Sequence, residues 1–386
     1  MKNFFYILLL AGMIFAAGCQ NPLDGIDKVQ THIENVETIK EQEAKNTDKP
    51  KKTSENNAYE ETGDSEKTVE NEENKEDKSG QKQVDNNKNG NTSEKEINEI
   101  LSITAYYKDG KGTLIPVTRN IKKEEGIAKA AINSMIDSEV NREVLKVLGL
   151  APVLPKGTEV LGINIVDGIA VIDFNNKLLD YKTERDELNI FSGIVYTLTE
   201  FKTITGVRIL VNGYEIEELK FSGNTSKTMT RENTLINSDK LNTGNKTMKF
   251  DVYLYKFIDD KHEYLLPVSM EYIGITEDML PAQIVRSMSK EPKDKELYTQ
   301  MPENVELLDS SISDKVLTLD FSREIKNYGG TSREDGLIKQ ILYTMKQIEG
   351  VEKVKILIEG KKDNLPEGTD ISKALLLPNG INRVSE

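Results

Sequence analysis

The chain has 386 residues, of which 65 are acidic and 51 basic, and its sequence pI is near 5.0. This balance excludes a basic surface that follows nucleic-acid phosphates, because duplex binding relies on Lys and Arg. The single cysteine excludes an internal disulfide and a cysteine-based metal site.

Residues 1–18 have the pattern of a secretory signal, and Cys19 follows it directly. The apolar run from Phe4 to Phe15 is too short for a comfortable membrane span. The small residues before Cys19 resemble a bacterial lipobox, whose cysteine receives a diacylglycerol, although Ala16 stands where that motif more often has Leu. Two or more acyl chains anchor a protein stably. We therefore expect an extracytoplasmic lipoprotein held to the membrane through Cys19, with an ordinary secretory signal as the alternative.

The segment from 19 to 96 is expected to be an acidic, disordered tether that carries the anchor. Between 41 and 99 there are 17 acidic and 10 basic residues and very few apolar ones, so the segment cannot bury enough apolar surface to order itself. Earlier in this segment, the spacing of Ile26, Val29, Ile33 and Val36 is that of one face of a short helix. The alternative is a disordered stretch, because so short a helix is marginal in water.

Two stretches of the remaining chain repeat each other at an offset of 147 residues. VYTLTEFKTITGVRILVNG at 195–213 aligns without a gap to LYTMKQIEGVEKVKILIEG at 342–360, with identities such as Tyr196/Tyr343. Such self-similarity indicates a duplicated domain. We assign domain 1 to 97–242 and domain 2 to 246–386.

Each copy opens with a predicted β-hairpin. LSITAYY, a turn at Asp109-Gly110 and TLIPVTR form the first; DVYLYKF, a polar turn and EYLLPVSM form the second. Pro116 and Pro267 place the return strand of each hairpin at a sheet edge or at its end. A helix is expected next, over 124–137 in copy one.

A second hairpin follows in each copy, TEVLGINIV-DG-IAVIDF and then VELLDSSIS-DK-VLTLDF. A second helix begins after Thr183 in copy one and after Thr331 in copy two. Thr331 with Glu334 fits a capping box, and Thr183 with Asp186 fits one loosely. The last strand, VRILV or VKILI, is almost wholly apolar and belongs in the middle of a sheet. Short tails, 226–237 and 372–382, complete both copies.

The predicted class is therefore α+β, with two repeated domains, each a mixed β-sheet with two helices packed on one face, preceded by the disordered tether. The order of IPVTR, a helix, LPKGTEVLGINIVDGIAVIDF and IVYTLTEFKTITGVRILVNG resembles the GerM domain of sporulation and germination lipoproteins, more closely in copy one. The resemblance implies modules similar to ring-building domains and a role in assembling an envelope complex. Ser313-Asp314-Lys315 departs from the Gly-containing turn of that family, so the equivalence of the copies stays open.

Catalytic residues are not expected. His32 lies in the tether and His262 in a predicted turn, and neither has a serine and a carboxylate beside it. Asp173 and Asp320 end equivalent strands, but glycoside hydrolysis needs a pair of carboxylates and each copy offers one. We interpret both aspartates as groups that cap a turn or hydrogen-bond to a loop. No catalytic, cofactor or metal residue is predicted, which leaves Cys19 as the one predicted site.

We expect a noncatalytic scaffold whose sheet edges or helix faces meet envelope proteins, sporulation-complex proteins or other copies of the chain. Two alternatives stay open: a module that binds peptidoglycan in a groove between the copies, and a weak cell-wall hydrolase. An aromatic content of 6% with no Trp disfavours a groove that stacks on sugars.

Overall fold

The computed structural model describes residues 100–122, 126–224, 226–244 and 246–384. Within them the elements of one repeat recur in the other in the same order, which confirms the α+β class and the duplication. The predicted signal segment, Cys19 and the tether lie outside the described residues. No helix in the described part is both long enough and apolar enough to cross a membrane.

Repeat 1 contains two β-hairpins, three helices and a central strand that is followed by shorter ones. Its elements are β1 (Ile100–Lys108), β2 (Leu114–Lys122), α1 (Ile127–Asn133), α2 (Glu139–Lys146), β3 (Val160–Val166), β4 (Ile169–Phe174), α3 (Glu184–Leu198), β5 (Gly206–Val211), β6 (Tyr214–Glu215), β7 (Glu218–Leu219) and β8 (Gly223–Asn224).

Repeat 2 has the same plan with one helix before its second hairpin. Its elements are β9 (Thr247–Phe257), β10 (Glu263–Ile273), α4 (Leu280–Met288), β11 (Leu297–Tyr298), β12 (Leu307–Ser313), β13 (Val316–Phe321), α5 (Thr331–Met345), β14 (Lys353–Ile358) and β15 (Leu375–Leu376). Single 3-10 turns lie at Asn176–Leu179, Glu277–Met279 and Arg323–Lys326.

Each repeat contains two main hydrogen-bonded sheets, a division that the sequence pattern does not predict. The first hairpin lies in one of them, β1-β2 or β10-β9-β11, and the second hairpin lies in the other, β3-β4-β5-β6 or β12-β13-β14-β15. Strands β7 and β8 of repeat 1 form a separate two-stranded sheet. The central position predicted for the VRILV and VKILI strands is confirmed, since β5 lies between β4 and β6, and β14 lies between β13 and β15. The long helix α3 contacts both β1 and β5, and it is buried because it lies between the two sheets.

The helix predicted over 124–137 is shorter in the structure, and a further helix follows it. Helix α1 ends at Asn133, and α2 begins after Ser138, whose hydroxyl accepts a hydrogen bond from the N–H of Asn141 at 3.2 Å. Only Leu145 of α2 is buried. Val140 and Val144 precede Leu145 at helical spacing, so the sequence did carry a signal for this helix, which the prediction over 124–137 missed.

The long helices start differently in the two repeats. The Thr183 cap is confirmed, because its hydroxyl accepts from the N–H of Asp186 at 3.1 Å. The capping box at Thr331 is wrong: Thr331 is the first helical residue, Gly330 occupies the cap position, and no side chain caps the helix. The carboxylate of Glu334 is instead bonded to the hydroxyl of Tyr328 at 2.8 Å.

The two-residue turns of the second hairpins both use left-handed backbone. Asp167 and Gly168 have φ of 50° and 79°, and Asp314 and Lys315 have φ of 51° and 63°. Positive φ at both positions is the pattern of a type I′ turn, in which glycine is favoured because it has no Cβ. Repeat 2 therefore keeps the turn geometry of repeat 1 but has Lys315, whose Cβ is strained at positive φ, in place of the glycine.

Replacing Lys315 with glycine should raise the melting temperature of the protein by about 2 °C, because the left-handed strain at this position is relieved. The exposed ion pair of Lys315 with Glu352 is lost as well, but pairs of this kind contribute little. Thermal unfolding followed by circular dichroism measures the change. Lys315→Ala is the matched control, since it removes the same charge and keeps the strain; an equal rise in both variants contradicts the explanation.

Candidate functional site: the sheet edges

The first hairpins of the two repeats meet through β2 and β10, which contact each other at the repeat junction. Pro116 stands opposite Tyr106, and Pro267 stands opposite Tyr253. A proline has no N–H, so it fits a position whose backbone points away from the partner strand. Both strands are therefore edge strands, as predicted.

Asn237, in the tail of repeat 1, bridges these two edges. Its side-chain oxygen accepts from the N–H of Leu114 at 2.7 Å, and its side-chain nitrogen donates to the carbonyl oxygens of Leu114 and Pro267 at 2.9 and 2.8 Å. The residue has a φ of 50°, a conformation that Asn tolerates better than most residues. One side chain thus satisfies backbone groups of both repeats.

Asn382, in the tail of repeat 2, makes the equivalent bridge in the opposite direction. It accepts from the N–H of Leu265 at 3.1 Å and donates to the carbonyl oxygens of Leu265 and Pro116, both at 2.7 Å. Its φ is 46°. The two asparagines are therefore related by an approximate two-fold symmetry between the repeats.

The residue before each asparagine also forms hydrogen bonds with one of the two edge strands. The N–H of Ser269 donates to the carbonyl of Ile236 at 3.0 Å, and the N–H of Thr118 donates to the carbonyl of Ile381 at 2.8 Å. In return, the hydroxyls of Ser269 and Thr118 accept from the N–H groups of Ile236 and Ile381 at 2.9 and 2.6 Å. The tails thus occupy the edges of β2 and β10 and close them to any other strand.

A buried polar cluster reinforces the junction. Asp251 accepts hydrogen bonds from the hydroxyls of Tyr196 and Ser269 at 2.8 and 2.7 Å and pairs with Lys249 at 2.8 Å. The side chains of Lys249 and Asp251 are only 4% and 6% exposed, so neither charge is well solvated. Burial lowers the pKa of Lys249, and the neighbouring Asp251 offsets part of that effect.

A second cluster of charged side chains, centred on Glu200, lies at the same junction. Glu200 pairs with Arg231 at 2.6 Å and with Lys346 of repeat 2 at 3.8 Å, and it accepts from the hydroxyl of Tyr106 at 3.2 Å. Burial alone would raise the pKa of Glu200, but the two cations outweigh it and lower that pKa. The Arg231 guanidinium also lies 4.7 Å from the ring centre of Tyr196. Polar groups of the protein itself thus satisfy one another at this junction.

The second sheets of the two repeats leave an edge strand exposed. Among the described residues, β3 and β12 have a hydrogen-bonded strand on one side only. The two-residue turn makes Val166 and Ile169 a hydrogen-bonded pair, and such pairs alternate along the strand with pairs that are not hydrogen-bonded. Ile163 and Ile165 belong to the second kind, so their N–H and C=O groups point away from β4. By the same count, the N–H and C=O groups of Ser310 and Ile312 point away from β13. Each repeat therefore presents free backbone groups in strand geometry.

Apolar side chains stand along both open edges at equivalent positions. Leu161 and Leu308 are each 51% exposed, and Ile165 and Ile312 are 44% and 53% exposed. Each pair is separated by the repeat offset of 147 residues. An open edge with exposed apolar side chains is a template for pairing with another strand unless it is protected. These two edges are the candidate interaction site.

The aspartates singled out by sequence, Asp173 and Asp320, serve turns. Each accepts a hydrogen bond at 2.9 Å from a glycine N–H in the turn after the next strand, Gly213 and Gly360 respectively. The turn-capping interpretation is confirmed for both.

His262 lies in the predicted turn, with its Nδ1 2.8 Å from Asp259, and His32 lies outside the described residues. In the described ranges no group of His, Cys, Asp and Glu could hold a metal ion.

Sequence reasoning missed Glu187 and gave Glu334 a different role, although both glutamates are fully or almost fully buried at equivalent positions of the two repeats. Glu187 accepts from the N–H groups of Phe221 and Ser222 at 3.0 and 2.6 Å. Glu334 accepts from the N–H groups of Glu367 and Thr369, both at 2.8 Å. Each carboxylate holds backbone groups of a turn that comes after the central strand of its second sheet. The repeat offset of 147 relates the two glutamates and could have revealed them.

Replacing Glu187 with glutamine should lower the free energy of unfolding at pH 7 by about 2 kcal/mol, because the amide satisfies the two N–H groups less well than a charged carboxylate. Burial alone would raise the pKa of Glu187, but hydrogen bonds from Tyr181, Ser222 and the backbone lower it below the ordinary 4.5. A lowered pKa gives stability that is present above the unfolded value and lost as pH falls through the folded one.

Urea unfolding between pH 7 and pH 3 tests this prediction. The parent should lose stability below about pH 4.5, and Glu187→Gln should lose less over the same interval. Glu184→Gln, at an exposed position of the same helix, is the control and should behave like the parent. Parallel pH curves for the parent and Glu187→Gln would refute the assignment.

Comparison with known proteins agrees with the duplicated fold. The sequence profile of the Germane family, described as Sporulation and spore germination, matches residues 104–217 and 251–364. The chain is 27% identical over 285 residues to the spore germination protein GerM of Bacillus subtilis (strain 168), covering 72% of this chain and 77% of that protein. The solved structure of the tandem GerMN domains of the sporulation protein GerM from Bacillus subtilis matches with a TM-score of 0.64 and 26% identity, covering 73% of this chain and 99% of the solved one.

The two profile matches together span more than half of the chain. Each begins in the first strand of a repeat, and their starts are 147 residues apart, the offset at which the sequence repeats itself. The structural match covers both repeats in tandem. The chain therefore belongs to the Germane family of sporulation and spore germination proteins and carries two tandem GerM domains.

Proposed function

We propose that this protein is a noncatalytic, membrane-anchored scaffold that acts outside the cytoplasm, in sporulation or germination, by offering sheet edges to partner proteins. The observation that carries the proposal is the contrast between edges. The protein seals β2 and β10 with its own tails, whereas β3 and β12 keep outward N–H and C=O groups beside exposed apolar side chains. Addition of a strand to such an edge is a general mode of peptide recognition.

The junction supports this role, because it joins the two repeats through buried polar groups. Asn237 and Asn382 each bond both repeats, and Asp251 connects Tyr196 of one repeat with Lys249. A junction of this kind suits a scaffold, because edge strands that are already held in place lose little conformational entropy when a partner binds. The anchor proposed at Cys19 and the acidic composition of 41–99 would hold this body near a membrane without fixing it there.

Neither alternative gains support from the site. Asp173 and Asp320, the carboxylates that a hydrolase would use, are bonded to backbone N–H groups of turns. The full-length chain in detergent should stay in the supernatant when purified peptidoglycan sacculi are sedimented. Sedimentation with the sacculi would favour the wall-binding alternative.

Proline substitution at the outward positions tests the edges. Ile165→Pro together with Ile312→Pro removes one outward N–H from each open edge and no N–H from the hairpin ladders. We expect the proteins crosslinked to the parent chain in membranes of sporulating cells to be lost from this variant. Ile165→Val with Ile312→Val keeps both N–H groups and should retain them. An unchanged crosslinking pattern in a folded proline variant would exclude the edges as the binding site.

Labelling with palmitate tests the anchor. The parent chain should incorporate the label and fractionate with membranes, whereas Cys19→Ser should do neither, because the chain has no other cysteine. Membrane fractionation of Cys19→Ser equal to the parent would contradict the proposed anchor.

A further inference from the structure

Strand β3 of repeat 1 has a sequence that complements itself when reversed. It reads Val-Leu-Gly-Ile-Asn-Ile-Val from Val160 to Val166 and contains no charged residue. Antiparallel pairing of two copies about Ile163 sets apolar residues against apolar ones and the glycine against the asparagine. The resulting pairs are Val160 with Val166, Leu161 with Ile165, Gly162 with Asn164, and Ile163 with itself.

The backbone of β3 has the matching geometry. Ile163 and Ile165 point their N–H and C=O groups away from β4, and Leu161 lies in a bulge, where the register against β4 shifts between Val160 and Gly162. A two-fold axis through Ile163 would therefore join the outward groups of Ile163 in one copy to those of Ile163 in the other, with about two inter-chain hydrogen bonds. It would also place the outward N–H and C=O groups of Ile165 beside Leu161 of the other copy. It would also cover Leu161 and Ile165, which are about half exposed in the single chain.

We propose that a second copy of this chain docks on β3, strand against strand and antiparallel, so that the two four-stranded sheets become one continuous sheet. The proposal rests on the interaction role assigned above to the open edges, and it names the partner of one of them. The contact is isologous, because the same strand is used by both copies, and it closes as a dimer.

The open edge of repeat 2 does not suit the same pairing. Asp309 lies at the bulge of β12 and stands opposite Asp320 of β13, whereas the matching positions of repeat 1 are Gly162 and Asp173. An inserted charge at an edge opposes the addition of another strand. Self-pairing of β12 about Ser310 would also replace the central isoleucines by serines. The edge of repeat 1 is therefore the one that pairs with its own copy.

One strand from each copy makes a small contact, at the low end of interface sizes, below about 1,200 Å². Such a dimer should dissociate readily in dilute detergent solution. Two copies anchored in one membrane meet at a much higher effective concentration, which favours the pair. The test therefore traps the contact in membranes.

Disulfide trapping measures this contact directly. Ile163 lies on the proposed two-fold axis, so two cysteines there would have Cα atoms about 5.5 Å apart, within the range that a disulfide spans. We expect Ile163→Cys, in the full-length chain and after mild oxidation of membranes, to run as a dimer on a non-reducing gel. Ser310→Cys is the matched control at the equivalent position of repeat 2 and should stay monomeric, like the parent with Cys19 alone.

A second substitution separates pairing from chance collision. Adding Ile165→Pro to Ile163→Cys removes an outward N–H from each copy and should reduce the trapped dimer about thirtyfold, since two donors are lost and each hydrogen bond contributes roughly 1 kcal/mol. Ile312→Pro added to Ile163→Cys should leave the dimer unchanged. Equal trapping of Ile163→Cys and Ser310→Cys, or trapping that persists with Ile165→Pro, would overturn the proposal.

Failure of this inference differs from failure of the scaffold. If Ile163→Cys gives no dimer while the proline variants still lose their crosslinked proteins, self-pairing is excluded and the edges bind other proteins. If the proline variants lose nothing and Ile163→Cys gives no dimer, both proposals are excluded.

Discussion

Replacing Asp251 with alanine is expected to lower the free energy of unfolding by about 4 kcal/mol. The carboxylate accepts from Tyr196 and Ser269 and pairs with Lys249, whose side chain is 4% exposed. Without it, a buried ammonium group has no counter-charge and two hydroxyls lose their acceptor. Guanidinium unfolding of the full-length chain measures the loss.

The first repeat supplies a matched control for this prediction. At the positions equivalent to Lys249 and Asp251, repeat 1 has Ser102 and Thr104. The double variant Lys249→Ser with Asp251→Thr removes both charges together, so it should lose clearly less stability than Asp251→Ala, because no buried charge is left unpaired. A loss below about 1 kcal/mol for Asp251→Ala would show that the pair contributes little.

Replacing Asn382 with alanine is expected to lower the free energy of unfolding by about 3 kcal/mol. The side chain makes three hydrogen bonds, to both backbone groups of Leu265 and to the carbonyl of Pro116. Its φ of 46° is also poorly suited to alanine. Thermal or denaturant unfolding of the full-length chain tests the effect.

Two further variants divide this effect into its causes. Asn382→Gly removes the same hydrogen bonds but adopts the left-handed backbone without strain. It should therefore lose less free energy of unfolding than Asn382→Ala, and the difference measures the strain of alanine at this position. Asn237→Ala removes the equivalent bridge and should cost a similar amount, because its three hydrogen bonds have the same pattern. An unchanged stability for both alanine variants would mean that the tails do not join the repeats.

The sequence by itself determined the features that depend on local chemistry. The offset of 147 residues marked the duplication, the apolar strands at 206–211 and 353–358 were placed correctly in the middle of their sheets, and Thr183 was recognised as a helix cap. Dipeptide turns and prolines were informative for the same reason. Each restricts the backbone of its own residue, whatever the rest of the chain does.

Only the tertiary structure decided which edges are open. Pro116 and Pro267 indicated edge strands, but the groups that seal them, Asn237 and Asn382, are far away in sequence or belong to the other repeat. The capping box at Thr331 failed because Glu334 is bonded to a loop more than thirty residues later. Hydrogen bonds between distant segments leave no periodic signal in a sequence, since they are fixed by packing and not by spacing along the chain.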